Sequence, residues 1–401
     1  MAPRVIVVGA GPVGVVAALA CVQHGFAVVL LEGLPDVDES PRAATTHPAT
    51  LEMIDRVGLI EPFIAAGLVA RYFQFWDRPT RTRTVEFDHD LLRNDTPFPF
   101  VVQTEQHKLA HMGVERLRAL GTDVRFDTRV TSVQQDADTA TVLADGPGGP
   151  VEISGDYVIG ADGGRSTIRK SLGIDFEGYT WPERFLVLTA LNDFERALGC
   201  CYRNYFADPH EWFNLFKVAG DDGKGRWRAV FPTQPDETDE QALGDASAHR
   251  RLQGIAPSAE PYAIVHRNMY KVHQRIAARF RMGRVFLAGD AAHVNNPIGG
   301  LGLNCGIHDA IELADSLQLV EFGSADPQLL DRYERRRRPL IVQFVQEATI
   351  ANKKRLEERD PAARLAGVAG LRATAADPVR HRQFLLRTSL IESVRTAASI
   401  D

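Results

Sequence analysis

Residues 4–32 read RVIVVGAGPVGVVAALACVQHGFAVVLLE, and the fold turns on that stretch. Arg4–Val8 is a continuous apolar run of the kind buried inside a parallel sheet. Gly9-Ala10-Gly11-Pro12-Val13-Gly14 is a turn, Val15–His24 a crossover helix stopped by Gly25, and Ala27–Leu31 a second strand closed by Glu32. In the spacing Gly9-x-Gly11-x-x-Gly14 the first glycine makes the tight turn, the second admits a pyrophosphate and the third lets helix pack on strand. Pro12 and Val13 lie inside this loop, and the helix amides that follow face the phosphates. Glu32, eighteen residues after Gly14, is placed to accept hydrogen bonds from a ribose diol. The unit predicts a dinucleotide site and does not separate FAD from NAD.

The apolar run Val5–Val22 also has a length that can span a bilayer. That alternative fails on detail: three glycines and Pro12 interrupt the run, it begins with β-branched residues, and no signal-type n-region or cleavage pattern frames it. Over 401 residues, 44% hydrophobic and 24% charged, the composition is that of an ordinary globular chain with room for more than one domain. A net charge of −6 argues against a nucleic-acid partner. The four cysteines show neither metal-ligand spacing nor a disulfide framework, which predicts no metal site and a reducing, cytoplasmic setting.

Further along, Thr50–Val57 predicts an amphipathic helix stopped at Gly58, with a second around Ile60–Ala66. Phe73–Phe87 alternates like antiparallel strands and Lys108–Leu120 has a helical period. Strands resume at Asp123–Phe126, Val130–Gln134 and Tyr157–Gly160, while Thr139–Ala144 and Val151–Ile153 flank a DGPGG hairpin turn. From Tyr179 to Val272 short aromatic-rich strands dominate: Phe185–Leu191, Cys201–Phe206, Trp212–Val218 and Trp227–Phe231. Nucleotide-type signals return at Arg284–Gly289, and from Asp331 the chain reads as mostly helical. The expected architecture is α/β: a Rossmann-like FAD-binding domain from residues 1–178 and 271–345, an inserted antiparallel-sheet substrate domain at 179–270, and C-terminal helices at 346–401.

Two segments favour FAD over NAD. DYVIGADGGRS (156–166) is a buried strand ending in Asp162-Gly163 and followed by a basic residue. GRVFLAGDAAH (283–293) ends in Gly289-Asp290, where the carboxylate can meet ribityl hydroxyls. Past it, PIGGLGLN (297–304) is a glycine-rich loop running into a helix at about Cys305–Leu319. The amides around Gly300, Gly302, Leu303 and Asn304 suit the electron-rich pyrimidine edge of a flavin.

In this order and at these separations, the three motifs resemble the single-component flavoprotein aromatic hydroxylases of the para-hydroxybenzoate hydroxylase fold, over roughly residues 4–345. Within that resemblance Ser40-Pro41-Arg42-Ala43 matches the family's cofactor-contacting arginine, and Gln103-Thr104-Glu105 a glutamine on the ribityl side. FEGYTW (176–181) and YKVHQR (270–275) look like para-nitrophenol monooxygenases and pyridine-ring hydroxylases. The chain stops at Asp401, so the thioredoxin-like domain of phenol hydroxylases is not expected.

The resemblance implies that NADH or NADPH reduces FAD, that dioxygen adds at flavin C4a, and that the distal oxygen of the hydroperoxide passes to a phenol or hydroxylated N-heteroaromatic ring. The implied partners are that small aromatic substrate, O2, a transient nicotinamide and, as in many relatives, a second copy in a homodimer. No second GxGxxG builds a nicotinamide domain, so the Asp162 region and Arg42 are candidates to contribute there. A phenol reacts faster as phenolate, so a general base or proton relay is expected. Pro297 aligns with a proline whose carbonyl lies beside the substrate in relatives. His47 maps near the substrate face of the flavin, as base, substrate contact or plain loop-stabilising residue. Tyr205 is a second catalytic candidate or a packing residue. Arg203 and Arg228 could meet a substrate carboxylate or face solvent. His210 reads as solvent-facing, His293 as structural or flavin-adjacent, and Cys305 as small-residue packing rather than an activated thiol. Arg335–Arg338 read as a solvated helix face beside Asp331 and Glu334.

Two other classes stay open from sequence. A flavin reductase or dehydrogenase of the same superfamily would transfer no oxygen. A non-catalytic flavin-binding protein would be expected to have lost Asp290 or the Gly299–Gly302 loop, and both are intact. No Trp-x-Trp pair occurs among Trp76, Trp181, Trp212 and Trp227, which disfavours a halogenase.

Overall fold

A computed structural model describes residues 2–401 of the chain. Arg4–Val8 (β1) and Ala27–Leu31 (β2) lie parallel, Arg4 against Ala27 and Val8 against Leu31, within a six-stranded sheet. Tyr157–Gly160 and Val285–Leu287 extend it in parallel on one side and Asp123–Arg125 on the other; Arg281–Met282 runs antiparallel at the edge. The fold class read from the sequence is borne out.

Between β1 and β2 the crossover helix spans Pro12–Gln23 (α1), beginning at Pro12 rather than Val15. Proline suits that first turn, because its φ is already helical and the missing N–H has no partner there anyway. His24 caps the helix and Gly25, at φ +92°, turns the chain into β2. Helix α1 is apolar all round because it is covered on more than one side, by Gly302–Glu321 and by Gln106–Ala119. Glycines set these distances: a Cβ at Gly306 would lie 2.6 Å from Val13, and one at Gly113 2.7 Å from Val15. At 12 residues α1 is about 18 Å long, too short for a ~30 Å hydrocarbon layer. No helix among the described residues is long and apolar enough to cross a membrane.

The aromatic-rich middle of the chain forms an eight-stranded sheet. Its order is His293–Val294, Ile264–Ala277, Phe176–Ala190, Arg226–Pro232, Phe213–Val218, Arg203–Ala207, Tyr72–Asp77, Thr82–Asp88. The hairpin Tyr72–Asp88 therefore enters from outside residues 179–270, joining through a parallel pairing of Tyr72–Asp77 with Arg203–Ala207. Side chains alternate across the sheet. Leu186, Leu188, Phe213 and Phe231 pack under the helix Asp245–Ile255 with Leu252 and Ile255. That helix is not anticipated by the sequence reading, since its apolar stripe is thin and it also buries Arg251, clasped by Glu211 and Glu237. The opposite face presents Val187, Arg203, Tyr205, Asn214, Arg228 and Val230 toward the nucleotide-type domain, with Arg228 bonding the Arg42 carbonyl and Arg203 the Gly299 carbonyl.

Candidate active site

Turn geometry in Gly9–Gly14 follows from what a side chain would strike. Gly9 has φ +105°, and a Cβ there would lie 2.5 Å from the Ala161 carbonyl oxygen. A Cβ at Gly14 would lie 1.9 Å from the Gly9 carbonyl oxygen, so the third glycine sets how closely α1 approaches the turn. Gly11 differs: nothing lies within 4 Å of the corresponding point, and no side chain caps α1. The first amides of α1 thus face open space, as an anion site requires. Glu32 is aimed by its own hydrogen bonds, Oε2 accepting from Ala10 N–H at 2.8 Å and Oε1 from Leu34 N–H at 3.0 Å.

Elsewhere along the cleft, buried polar atoms are left without partners. Gln103 is fully buried; its Oε1 accepts from the Thr45 hydroxyl at 2.9 Å, while Nε2 has no partner. Asp162 Oδ2 accepts from the amides of Thr167 and Ile168 at 2.7 and 3.1 Å, but Oδ1 is buried and unpaired. Burial raises the Asp162 pKa. Asp290 is exposed to solvent, yet desolvation by the protein around it raises its pKa too. Orphaned polar groups of this kind are rare in folded proteins and point to a missing ligand. The Arg42 guanidinium bonds Asp38 at 2.7 Å and is 57% exposed, and its charge still reaches Asp290, where it opposes the effect of desolvation.

The loop from Pro297 is tied to its surroundings by Asn304. The Asn304 Oδ1 accepts from His47 N–H at 2.8 Å, and Nδ2 donates to the carbonyls of Thr45 at 2.8 Å and Gly300 at 2.5 Å. Gly299 and Gly300 have φ of +110° and +68°, and a Cβ on Gly300 would lie 2.8 Å from that of Thr45. Gly302 begins the long helix and Leu303 is half-buried on its first turn. Pro297 is exposed, and its carbonyl already accepts from Gly300 N–H at 2.9 Å.

On this loop His47, Arg203 and Tyr205 come together. His47 is fully buried and donates from Nε2 to the Gly299 carbonyl at 2.9 Å, leaving Nδ1 a buried acceptor with no partner. Burial, and then the Arg203 cation, hold its pKa well below the ordinary value, so the ring is neutral. Arg203 Nη2 donates to the same carbonyl at 3.2 Å and its Nε to the Tyr205 hydroxyl at 2.9 Å. Arg203 and Arg228, which could have faced solvent, are both buried, at 4% and 7% exposure. Asn214 Oδ1 on the same face is also buried and unpaired. Sequence reading misses Thr45 and Asn214 because neither lies in a motif.

Behind the Gly289-Asp290 turn stands a buried ionic cluster. Asp309 accepts from Arg337 Nε at 2.7 Å, from His293 Nε2 at 2.8 Å and from Gly289 N–H at 3.0 Å. Burial pushes the Asp309 pKa up, but Arg337 and His293 together outweigh it and the net shift is down. Reading Arg335–Arg338 as a solvated face is therefore wrong for Arg337, which is 2% exposed and supplies the counter-charge for this turn. His293 is structural. Cys305 is buried with its thiol pushed up to about 12, which suits packing rather than reactivity. His210 is exposed.

The open approach to α1, the aimed Glu32 and the unpaired atoms of Gln103 and Asp162 fit an FAD lying between the Gly9–Gly14 turn and the Gly299–Asn304 loop. A sequence model of the FAD binding domain family matches residues 3–348. Para-nitrophenol 4-monooxygenase of Pseudomonas sp. (strain WBC-3) is 35% identical over 390 residues, covering 95% of this chain and 94% of its own. The 6-hydroxy-3-succinoylpyridine 3-monooxygenase HspB of Pseudomonas putida is 32% identical over 363 residues, 90% of this chain and 91% of its own. Among solved structures, p-nitrophenol 4-monooxygenase PnpA from Pseudomonas putida DLL-E4 matches with a TM-score of 0.91 at 33% identity, over 98% of both chains.

Proposed function

The chain belongs to the FAD-binding-domain family, and on that premise we propose that it is an FAD-dependent monooxygenase hydroxylating a phenol or hydroxylated N-heteroaromatic ring with NADH or NADPH and O2. The observation that carries the reading is the meeting of His47 and Arg203 at the Gly299 carbonyl, with the Tyr205 hydroxyl held on Arg203, beside the loop that enters the helix Gly302–Glu321.

FAD, when bound, supplies activation of dioxygen and transfer of one oxygen atom to the ring. In this reading Gly9, Gly11 and Gly14, with Pro12 and Val13, hold the pyrophosphate, and Glu32 takes the ribose. Arg42, Gln103, Asp162 and Asp290 serve the remaining polar edges, with Gly300, Gly302, Leu303 and Asn304 at the pyrimidine end. His47 is neutral and keeps Nδ1 free to accept a hydrogen bond from a ring hydroxyl. The Tyr205 hydroxyl accepts from Arg203, so its own proton is free to point at a substrate oxygen, and the adjacent cation favours the phenolate form of that oxygen. Phe73, Phe75 and Phe216 give a planar ring apolar walls and keep water out. Pro297 contributes through its carbonyl, whose second lone pair stays available.

The test is nicotinamide oxidation and oxygen uptake by the FAD-loaded protein with a panel of phenols and hydroxypyridines, with products separated by chromatography. A hydroxylated product is expected. Nicotinamide oxidation with no hydroxylated product from any ring would contradict the proposal and fit a reductase instead.

A further inference from the structure

Four asparagines are buried among the described residues: Asn204, Asn214, Asn296 and Asn304. Three of them have their amides answered by the protein. Asn204 Nδ2 donates to the carbonyls of Cys201 and Leu215 at 2.6 and 3.1 Å, and its Oδ1 accepts from Trp76 Nε1 at 3.3 Å. Asn296 Oδ1 accepts from Ile298 N–H at 3.1 Å, and Asn304 bonds His47, Thr45 and Gly300. Asn214 is the exception. It is 2% exposed, and its Oδ1 is a wholly buried acceptor with no partner.

Strand register puts Asn214 on the sheet face that looks toward the Gly299 loop, beside Tyr205 on one neighbouring strand and Val230 on the other. Phe216 follows on the same face, its ring edge-on to Tyr205 at 5.9 Å between centroids. An amide is not needed to fill this space. Leucine has a similar volume, and a buried amide oxygen without a donor is costly to fold. The strand Phe213–Val218 packs on Val101–Gln103, yet Gln103 Nε2, itself an unpaired donor, does not bond Asn214. His47 Nδ1 is the other unpaired acceptor at this site and is matched by the ring hydroxyl, which leaves Asn214 for a different group of the ligand.

We infer that Asn214 is a specificity-determining residue that accepts a hydrogen bond from a second polar group on the substrate, so that rings carrying an additional O–H or ring N–H are selected over rings of the same shape without it. The inference rests on the monooxygenase reading of this site and narrows its substrate class to rings with two polar positions. The donor is either a second hydroxyl or the N–H of a hydroxypyridine in its lactam form; both present the same proton to Oδ1. A site built around a hydrogen bond rejects an analogue that lacks it more strongly than an apolar pocket rejects a missing methyl group.

Binding can be read without turnover, by difference absorbance of the FAD-loaded protein in the absence of NAD(P)H. The probes are catechol, resorcinol and hydroquinone, each against the methylphenol of the same substitution pattern, and 2-hydroxypyridine and 4-hydroxypyridine against phenol. At least one donor-bearing ring should bind about tenfold tighter than its match, and the O–H and N–H arms identify the source. Asn214→Leu should bring that ratio to less than about twofold, with FAD content kept and the melting temperature level or raised, because it removes an unpaired buried amide. An asparagine with a purely structural role would instead lower the melting temperature on replacement and leave the ratio as it was. Should Asn214→Leu not fold, Asn214→Ala decides by the same ratio. A parent protein that binds every donor-bearing ring no tighter than its match, or an FAD-loaded Asn214 variant with the parental ratio, would overturn the inference. So would a folded variant that has lost FAD, since the amide would then serve the flavin. Selective binding without hydroxylated product from any ring would leave the inference standing and sink the monooxygenase reading.

Discussion

Replacing Gly11 by alanine should cut FAD affinity while leaving the apoprotein folded, whereas the same change at Gly14 should damage the fold itself. At Gly11 the added methyl meets nothing within 4 Å, and φ −69°, ψ 175° suits any residue. An alanine N-cap loses roughly 0.5–1 kcal/mol relative to glycine, and the stiffer unfolded chain returns about 0.4–1 kcal/mol, so the net change stays within about 1 kcal/mol. At Gly14 the methyl would lie 1.9 Å from a backbone oxygen whose own residue, Gly9, is held at φ +105° against Ala161. Neither can swing aside, and overpacking of that kind costs about 3 kcal/mol or more. The free space at Gly11 is where a pyrophosphate has to approach the α1 amides. A methyl there costs one charge-assisted hydrogen bond or more, about 1.5–3 kcal/mol each, or roughly tenfold to more than a hundredfold in Kd. Stripping FAD, titrating it back by flavin fluorescence, and melting the apoproteins by circular dichroism separates the two effects. A Gly11→Ala protein that binds FAD with parental Kd, or whose apoprotein is as unstable as Gly14→Ala, would refute the reasoning.

Further outcomes can be stated briefly. His47, His89 and His308 are buried with folded pKa values lowered, to about 3 for the last two, so each binds its proton only on unfolding below about 6.5. Their contribution is complete above that pH and is lost as pH falls toward the folded values, by roughly 4 kcal/mol per pH unit for the three together. Urea midpoints across pH 6 to about 4 should show it, and His89→Gln should flatten the slope by about a third. Asp309→Ala leaves Arg337 buried and unpaired and should cost about 3–5 kcal/mol in urea unfolding, with weakened FAD retention because Gly289 N–H loses its acceptor. Tyr205→Phe keeps the stack on Phe75 but removes the hydroxyl, and should lower the single-turnover hydroxylation rate about a hundredfold with FAD affinity unchanged.

What could be read beforehand was local. The β1–α1–β2 unit follows from glycine spacing and a run of apolar residues, and Asp162 and Asp290 stand out because each ends a buried strand next to glycine. Asn304 was legible as part of the loop, but its three bonds to His47, Thr45 and Gly300 were not, since two partners lie more than 250 positions away. Strand alternation puts Arg203 and Tyr205 on one face, yet only the packing of Asp245–Ile255 on the other face decides that theirs looks inward. Arg337 misled for the same reason. Its neighbours are charged, and the carboxylate that justifies burying it lies 28 residues upstream on another helix. The parallel docking of Tyr72–Asp77 on Arg203–Ala207 is likewise a pairing that no local pattern encodes.

The central claim is that this chain inserts one atom of dioxygen into an aromatic ring. It is tested most directly by turning over the FAD-loaded protein with NAD(P)H, an ionisable phenol and isotopically labelled dioxygen, then weighing the product by mass spectrometry. The account predicts a hydroxylated ring carrying a single labelled oxygen. Product oxygen drawn from water, or reduction of all the labelled dioxygen to hydrogen peroxide with the ring untouched, would contradict it.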